Sequence, residues 1–279
     1  MRVPGADVTP AGVARRLLPP LLLLCATACG AARVALPTGV GVPFPEFSQA
    51  YASATEGCRD VSTLSASLSV SGRAGTTKIP SVRIDAGFAG PDQIRLEGYP
   101  RIAFGGKPIF VLVSRGREAT LVLTRDDRVL RGAPPAAIIE ALAGIALEPA
   151  ELRALIGGCG LGPVQPASGQ SYPTGWLALD ADGTTAFLHE LDGRWRIAAV
   201  RRGPLTVEYV ELGSGRPSTV HLRMTAAPGT PAADLTLRLS QVEINPQLDA
   251  AAFDPVVPPD AAPLTLDELR HAGPLGGAR

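Results

Sequence analysis

Few residues in this sequence have the chemistry and spacing of a reactive site. The three histidines, His189, His221 and His271, are widely separated. His189 and Glu190 are adjacent, so a strand would turn their side chains to opposite faces. His221 alternates with Thr219 and Arg223, the pattern of a solvated strand face. A zinc site needs more ligands than these at better spacing, and no metal is expected. Ser214, in "GSGRP", lacks the preceding strand and following helix of a nucleophile elbow and is expected in a turn. The glycines of "GGCGLG", Gly157 to Gly162, follow a helix-like segment instead of joining a strand to a helix, which predicts a helix stop and not a phosphate loop. Asp126-Asp127 lies between two strand-like runs and predicts a turn. No catalytic constellation emerges, the class expected is non-enzymatic, and no cofactor is implied.

The four cysteines carry more information. Cys25 and Cys29 lie in "RRLLPPLLLLCATACG", Arg15 to Gly30. The apolar run Leu17 to Ala28 is shorter than the about 20 residues a spanning helix needs, and Pro19 and Pro20 interrupt it. It has instead the form of an export signal: Arg15 and Arg16, an apolar core, then the small residues Ala26, Thr27 and Ala28. "ATAC", Ala26 to Cys29, resembles the bacterial lipobox, which implies a diacylglyceryl group on Cys29 as the mature N-terminus. Ala26 stands where that motif prefers leucine, and the alternative is a plain secreted protein with a cysteine near its start. Gly30 behind Cys29 is compatible with release to the outer membrane. If Cys25 leaves with the signal and Cys29 is acylated, Cys58 and Cys159 remain, and an oxidising periplasm predicts a disulfide between them. The alternative is two free buried thiols.

Composition sets further limits. Cleavage before Cys29 leaves roughly 250 residues, room for one large all-β domain or two small ones. Net charge is +0 and no basic run stands out, which argues against nucleic acid as a partner. Hydrophobic residues make up 46%, enough for a sizeable core.

Along the chain, "GAARVALPTGVGVPFP" is small, Pro-rich and aperiodic, and predicts a flexible tether over residues 29–45 behind the signal at 1–28. A short helix is expected over Glu46 to Glu56. Strands then dominate. "STLSASLSVSGR" alternates Leu64, Ala66, Leu68 and Val70 with serines, "QIRLEGY" sets Ile94 and Leu96 against Arg95 and Glu97, and "PIFVLVSRGREATLVLT" reads as a hairpin around Arg115-Gly116-Arg117. Asp182-Gly183 and Asp192-Gly193 are turn signals between further strands, and "LTVEYVEL", "STVHLRM" and "DLTLRLSQVEI" complete about eleven strands joined by short connections. The order predicts one continuous antiparallel sheet. Helical spacing recurs at Ile138, Ala141, Leu142 and Ile145 and again from Pro149 through Leu152, Leu155 and Ile156, so two short helices must pack on one face of that sheet.

A curved sheet whose inner face is covered by a helix pair can enclose an apolar cavity. Acyl chains suit it because burial is worth about 0.8 kcal/mol per CH₂ without exact polar contacts. The expected lining is Ile94, Leu96, Phe110, Leu112, Leu121, Leu123, Trp195, Ile197, Leu235 and Leu237, with Ile138 and Leu142 from the helix. Periodicity fits equally a solid core built from the same residues.

The run from "PDQIRLEGYPRIAFGGKPIF" to "LAGIALEPAELRALIGGC", with "DGRWRIAAVRRG" and "RPSTVHLRM", resembles the LolA/LolB lipoprotein-carrier group, LolB more closely, over roughly Val61 to Asn245. The resemblance implies a mostly β fold, a curved antiparallel half-barrel of about eleven strands with helices covering the concave face, here over residues 46–255. It also implies a lipid-anchored carrier in the outer membrane, facing the periplasm, that takes acyl chains of lipoproteins or other lipids from a periplasmic donor. The loop "YPRIAFGGKP" matches the one whose apolar residue aids membrane insertion in LolB, which points to Phe104 with Ile102 beside it; the family residue there is leucine. The Cys58–Cys159 pair and the tail at 256–279 are not LolB features. Phe253 is expected to anchor that tail, with partial disorder beyond Pro263.

Overall fold

Alternation of apolar and polar residues builds most of this molecule. The computed structural model describes residues 34–100, 106–210, 216–225 and 232–273. Strand β1 (Val42–Pro43) and helix α1 (Phe47–Ala54) lead into β2 (Thr63–Ala74), β3 (Thr77–Ala89), β4 (Gln93–Pro100), β5 (Phe110–Arg115), β6 (Glu118–Leu123) and β7 (Arg128–Ala133). Helices α2 (Pro135–Ala143) and α3 (Pro149–Ile156) follow. The second run of strands is β8 (Ser168–Ser171), β9 (Trp176–Ala181), β10 (Thr184–Leu191), β11 (Arg194–Arg202), β12 (Leu205–Val210), β13 (Thr219–Met224) and β14 (Ala233–Ile244). Strand β15 (Ala262–Pro263) and helix α4 (Leu266–Ala272) end the described chain.

All fifteen strands join one sheet in the order β1-β8-β9-β10-β11-β12-β13-β14-β2-β3-β4-β5-β6-β7-β15. Every pairing is antiparallel except that of β15 with β7. The outermost strands β1 and β15 do not pair with each other, so the sheet is an open half-barrel, mostly β, with helices against its inner face. The sequence predicts about eleven strands. The count is higher because β1, β8 and β15 pair over only two to four residues, too few to leave a period. Pro80 breaks the alternation near the start of β3, which resumes as Val82, Ile84, Ala86 and Phe88. The proline sits at a bulge, where the register between β2 and β3 shifts between Val70 and Gly72 and no ladder partner is needed.

Asp182 and Gly183 have φ of 43° and 77°, and Asp192 and Gly193 have 51° and 71°. Positive φ at both central residues makes the two-residue hairpin turn whose twist suits antiparallel strands. β14 lies against β2, bringing the end of the ladder to its beginning. Asn245 secures this seam: its Oδ1 accepts from the backbone N–H of Ser62 and Thr63, and its Nδ2 donates to the Asp60 carbonyl.

Both ends of the domain differ from expectation. The tether has joined the sheet by Val42, where β1 pairs with β8 and the N–H of Phe44 donates to the Gly169 carbonyl at 2.9 Å. At the other end Phe253, 2% exposed, seats the tail on the outer face of β4 and β5. Arg95 and Arg115 donate to the carbonyls of Ala252 and Ala250 there, and Arg115 pairs with Asp254 at 3.0 Å. The chain beyond Pro263, expected to lack order, instead rounds the sheet edge through β15 and packs α4 on α2. Two features order it. Thr265 and Glu268 form a capping box, and Leu269 is 0% exposed. Glu268 also reaches Arg128 of β7 at 2.8 Å.

Cys58, just after α1, is disulfide-bonded to Cys159, just after α3, with Cα atoms 5.9 Å apart and a sequence separation of 101. A crosslink closing a loop of that length constrains the unfolded chain by about 4.7 kcal/mol in the chain-entropy model. Reduction, or Cys58→Ser with Cys159→Ser, is expected to lower the urea midpoint and thermal midpoint strongly while leaving far-ultraviolet circular dichroism native at low temperature. Phe253→Ala is expected to cost about 3–5 kcal/mol in urea unfolding, as for a fully buried aromatic; a loss below 1 kcal/mol would show that the tail is not seated through this ring.

Candidate functional site: the apolar interior under the helix pair

β7 and β8 are consecutive in sequence but stand near opposite edges of the sheet. Their connection must cross the inner face, and α2 and α3 are that connection. Pro134 and Pro135 start α2, with Pro135 in the first turn where its missing N–H costs nothing. Pro135, Ile138, Ile139, Ala141 and Leu142 are buried. The helix turns this apolar face to the core and leaves Glu140 on its exposed side. Gly144 ends it with φ of 77°; a Cβ there would approach the Ala74 Cβ to 2.9 Å, so α2 rests directly on the sheet. α3 begins where the backbone N–H of Glu148 donates to the Glu151 carboxylate, and it buries Leu152, Leu155 and Ile156.

Between this pair and the sheet lies a cavity of about 80 Å³ whose lining contains no polar side chain. Five of the residues expected from sequence line it: Leu96, Phe110, Leu142, Leu235 and Leu237. Ile94, Leu112, Leu121, Leu123, Ile138 and Ile197 are buried on the same inner face but fill the surrounding core, and Trp195 packs against that core half-buried. The lining also draws on residues the sequence reading does not assign to a cavity. Ile79 and Ile84 come from β3, and Ile145 and Leu147 from the link between the helices. Leu68 and Val70 belong to the alternation that marks β2, and Ile84 to the alternation of Val82, Ile84, Ala86 and Phe88 in β3, whereas Ile79 is cut off from it by Pro80. Phe110 owes its position to Gly98, its cross-strand partner. A Cβ on Gly98 would fall 2.1 Å from the Phe110 ring, so the ring occupies the space of the missing side chain.

The helix pair is held at both ends. At the α3 end Cys159 is tied to Cys58, Glu151 pairs with Arg202, and Arg153 donates to the carbonyls of Ser62 and Gly90. Tyr209, buried on β12, accepts from the N–H of Gly160 and donates back to its carbonyl; burial pushes its phenol well up, so it stays a neutral hydrogen-bonding group. At the α2 end the fastening is the packing of α4, with Arg270 and Glu140 3.5 Å apart.

Of the remaining residues with expected roles, Cys29, Ile102, Phe104 and Ser214 lie outside the described residues. The segment carrying Ile102 and Phe104 leaves β4 beside Tyr99, whose hydroxyl donates to Glu97. Burial disfavours the Glu97 carboxylate, but hydrogen bonds from Tyr99 and Arg95 more than offset this and hold its pKa below the usual range. Burial and Glu97 push Tyr99 up to about 12. The histidines do not converge: His189 stacks at a tilt on Trp176, His221 Nδ1 lies 3.5 Å from the Thr236 hydroxyl, and His271 Nδ1 meets the Asp267 carbonyl. Among the described residues no group of three or more His, Cys, Asp or Glu is placed to hold a metal ion, and no helix is long and apolar enough to cross a membrane.

No protein-family model matches this chain, and no curated protein matches it in sequence. Its backbone is similar to several solved structures. A LolA superfamily protein from Nitrosomonas europaea shares 12% identity over 76% of this chain and 97% of its own, with a TM-score of 0.47. A DUF1329 family protein from Desulfovibrio piger shares 10% over 74% and 96%, at 0.45. A domain described as an outer membrane lipoprotein-sorting protein from Vibrio parahaemolyticus shares 12% over 74% and 96%, at 0.43. A LolA superfamily protein is thus among the solved structures to which the backbone of this chain is similar.

Proposed function

We propose that this chain is a lipid-anchored periplasmic carrier that receives acyl chains of lipoproteins or other lipids in its interior and delivers them to the outer membrane. The observation that carries this reading is the wholly apolar cavity between helix pair and sheet, a lining that suits hydrocarbon and offers nothing to a polar ligand. In this proposal the signal is residues 1–28, Cys29 bears the anchor, and the Cys58–Cys159 disulfide forms in an oxidising compartment. Ile102 and Phe104 meet the membrane, and a periplasmic donor supplies the cargo.

At about 80 Å³ the cavity is far smaller than the roughly 300–1,000 Å³ of a ligand pocket. Loading therefore requires α2 to move off the sheet. The α3 end is fastened covalently, so the yielding end is α2, and α4 is its latch. The same small volume favours a second reading, a non-carrier structural or interaction lipoprotein of the envelope whose barrel is filled by its own side chains.

The two readings separate on uptake. A carrier purified at full length in nonionic detergent is expected to bind a fluorescent fatty acid saturably. Leu269→Ala, which loosens α4, is expected to speed that binding several-fold. Absence of binding in both proteins leaves the filled barrel. For the loop, Phe104→Glu is expected to slow transfer of bound lipid to vesicles with an unchanged thermal midpoint; a large fall in that midpoint would instead assign Phe104 to the core.

A further inference from the structure

A second cavity, of about 540 Å³, lies outside the helix pair, between α1, α3 and the chain that follows α3. Two guanidinium groups, Arg59 and Arg153, line it and no carboxylate does. Neither arginine forms an ion pair among the described residues. Arg153 spends Nη1 on the carbonyls of Ser62 and Gly90, and Arg59 spends Nη2 on that of Ala52, so each fork retains unused donors. Glu56 and Asp60 flank Arg59 in sequence, but neither lines the cavity. Burial pushes the Arg153 guanidinium below its ordinary value, the expected cost of a half-buried cation without a counter-charge.

Cys58 and Gly157 form a shared wall with a smaller cleft of about 190 Å³. That cleft has the same character: Arg196 and Arg216 line it, again with no carboxylate and no ion pair among the described residues. Four arginines therefore line two adjoining cavities that share Cys58, in a chain whose net charge is +0. Seven other arginines of the described residues are ion-paired, among them Arg95 with Glu97, Arg202 with Glu151 and Arg223 with Glu208, whereas others such as Arg73 and Arg131 are not.

We propose that the cavity between α1 and α3 binds a phosphate-bearing group through Arg59 and Arg153, with Arg196 and Arg216 adding attraction from the adjoining cleft. Guanidinium forks match phosphate oxygens in pairs, and the larger cavity has room for a phosphate and the glycerol or ester attached to it. Ala52, Ala154, Pro163 and Val164 supply apolar wall beside the charge, which suits the start of an acyl or glycerol chain. The site lies on the far side of α3 from the apolar cavity and stands whether or not that cavity loads lipid.

The test is titration calorimetry of the full-length chain in nonionic detergent micelles at low salt, with inorganic phosphate and, separately, dihexanoyl phosphatidic acid. Binding of both probes identifies a site for the phosphate group itself; binding of the lipid alone identifies a head-group site. Arg59→Gln and Arg153→Gln are each expected to weaken the affinity about tenfold or more, the loss expected for a charge-assisted hydrogen bond. Arg59→Gln leaves the Arg153 contacts to Ser62 and Gly90 intact, so it decides the matter if Arg153→Gln folds poorly. Failure of the unmodified protein to bind either probe overturns the proposal, as does unchanged affinity in Arg59→Gln.

Discussion

The constraint on which this structure depends is the wide separation of β7 from β8. Two strands adjacent in sequence stand near opposite edges of the sheet, so the chain between them has to pass through the interior. A peptide in an apolar interior must satisfy its own hydrogen bonds, and helices do so. The crossing is therefore α2 and α3, and their side chains become half of the core. The remaining features follow from it. The sheet curls around the crossing, the link between the helices passes over the middle of the inner face, and the apolar cavity is the space that the two layers fail to fill.

The same constraint explains why the fastenings of the helix pair are unequal. The connection leaves β7 near one edge of the sheet, whereas α3 ends against β11 and β12 in the sheet's interior. At the exit a disulfide and three hydrogen-bonding side chains, Glu151, Arg153 and Tyr209, fix α3. At the start the cover is the chain's own tail. Glu268 ties that tail to β7; the backbone N–H of Thr265 and the Arg128 guanidinium hold its carboxyl down at about 2, so it remains ionised and able to cap α4 in mildly acid surroundings.

Much of this was legible in the sequence, for physical reasons that particular residues illustrate. Leu64, Ala66, Leu68 and Val70 alternate with serines because one face of β2 is buried and the other meets water. Asp-Gly pairs mark two hairpins because few other pairs accept positive φ twice. Pro135 and Pro149 mark both helix starts. What was not legible depends on long-range partners. The start of β3 is masked by Pro80, which the bulge there makes tolerable. Thr265-x-x-Glu268 is a capping box readable in sequence, yet the Pro-rich stretch around it hides the helix unless α2 is there to receive Leu269. Of the twelve residues expected to line a cavity, five border empty space, six fill the buried core and Trp195 is half-buried, a distinction the periodicity could not make. The two Arg clefts beside the disulfide had no linear signature at all, since Arg59, Arg153, Arg196 and Arg216 meet only in the fold.

The tail that runs from the outer face to α2 has a consequence for biogenesis. Its pairing of β15 with β7 joins Ala262 to Arg128, and α4 finds its seat only after the sheet and the helix crossing exist. It is also the last described segment to be synthesised. A chain truncated or clipped before Leu264 would keep its sheet but leave α2 bare on one side, an apolar scar that proteases can recognise. Helix α4 thus covers α2 only in a chain that extends through Leu269.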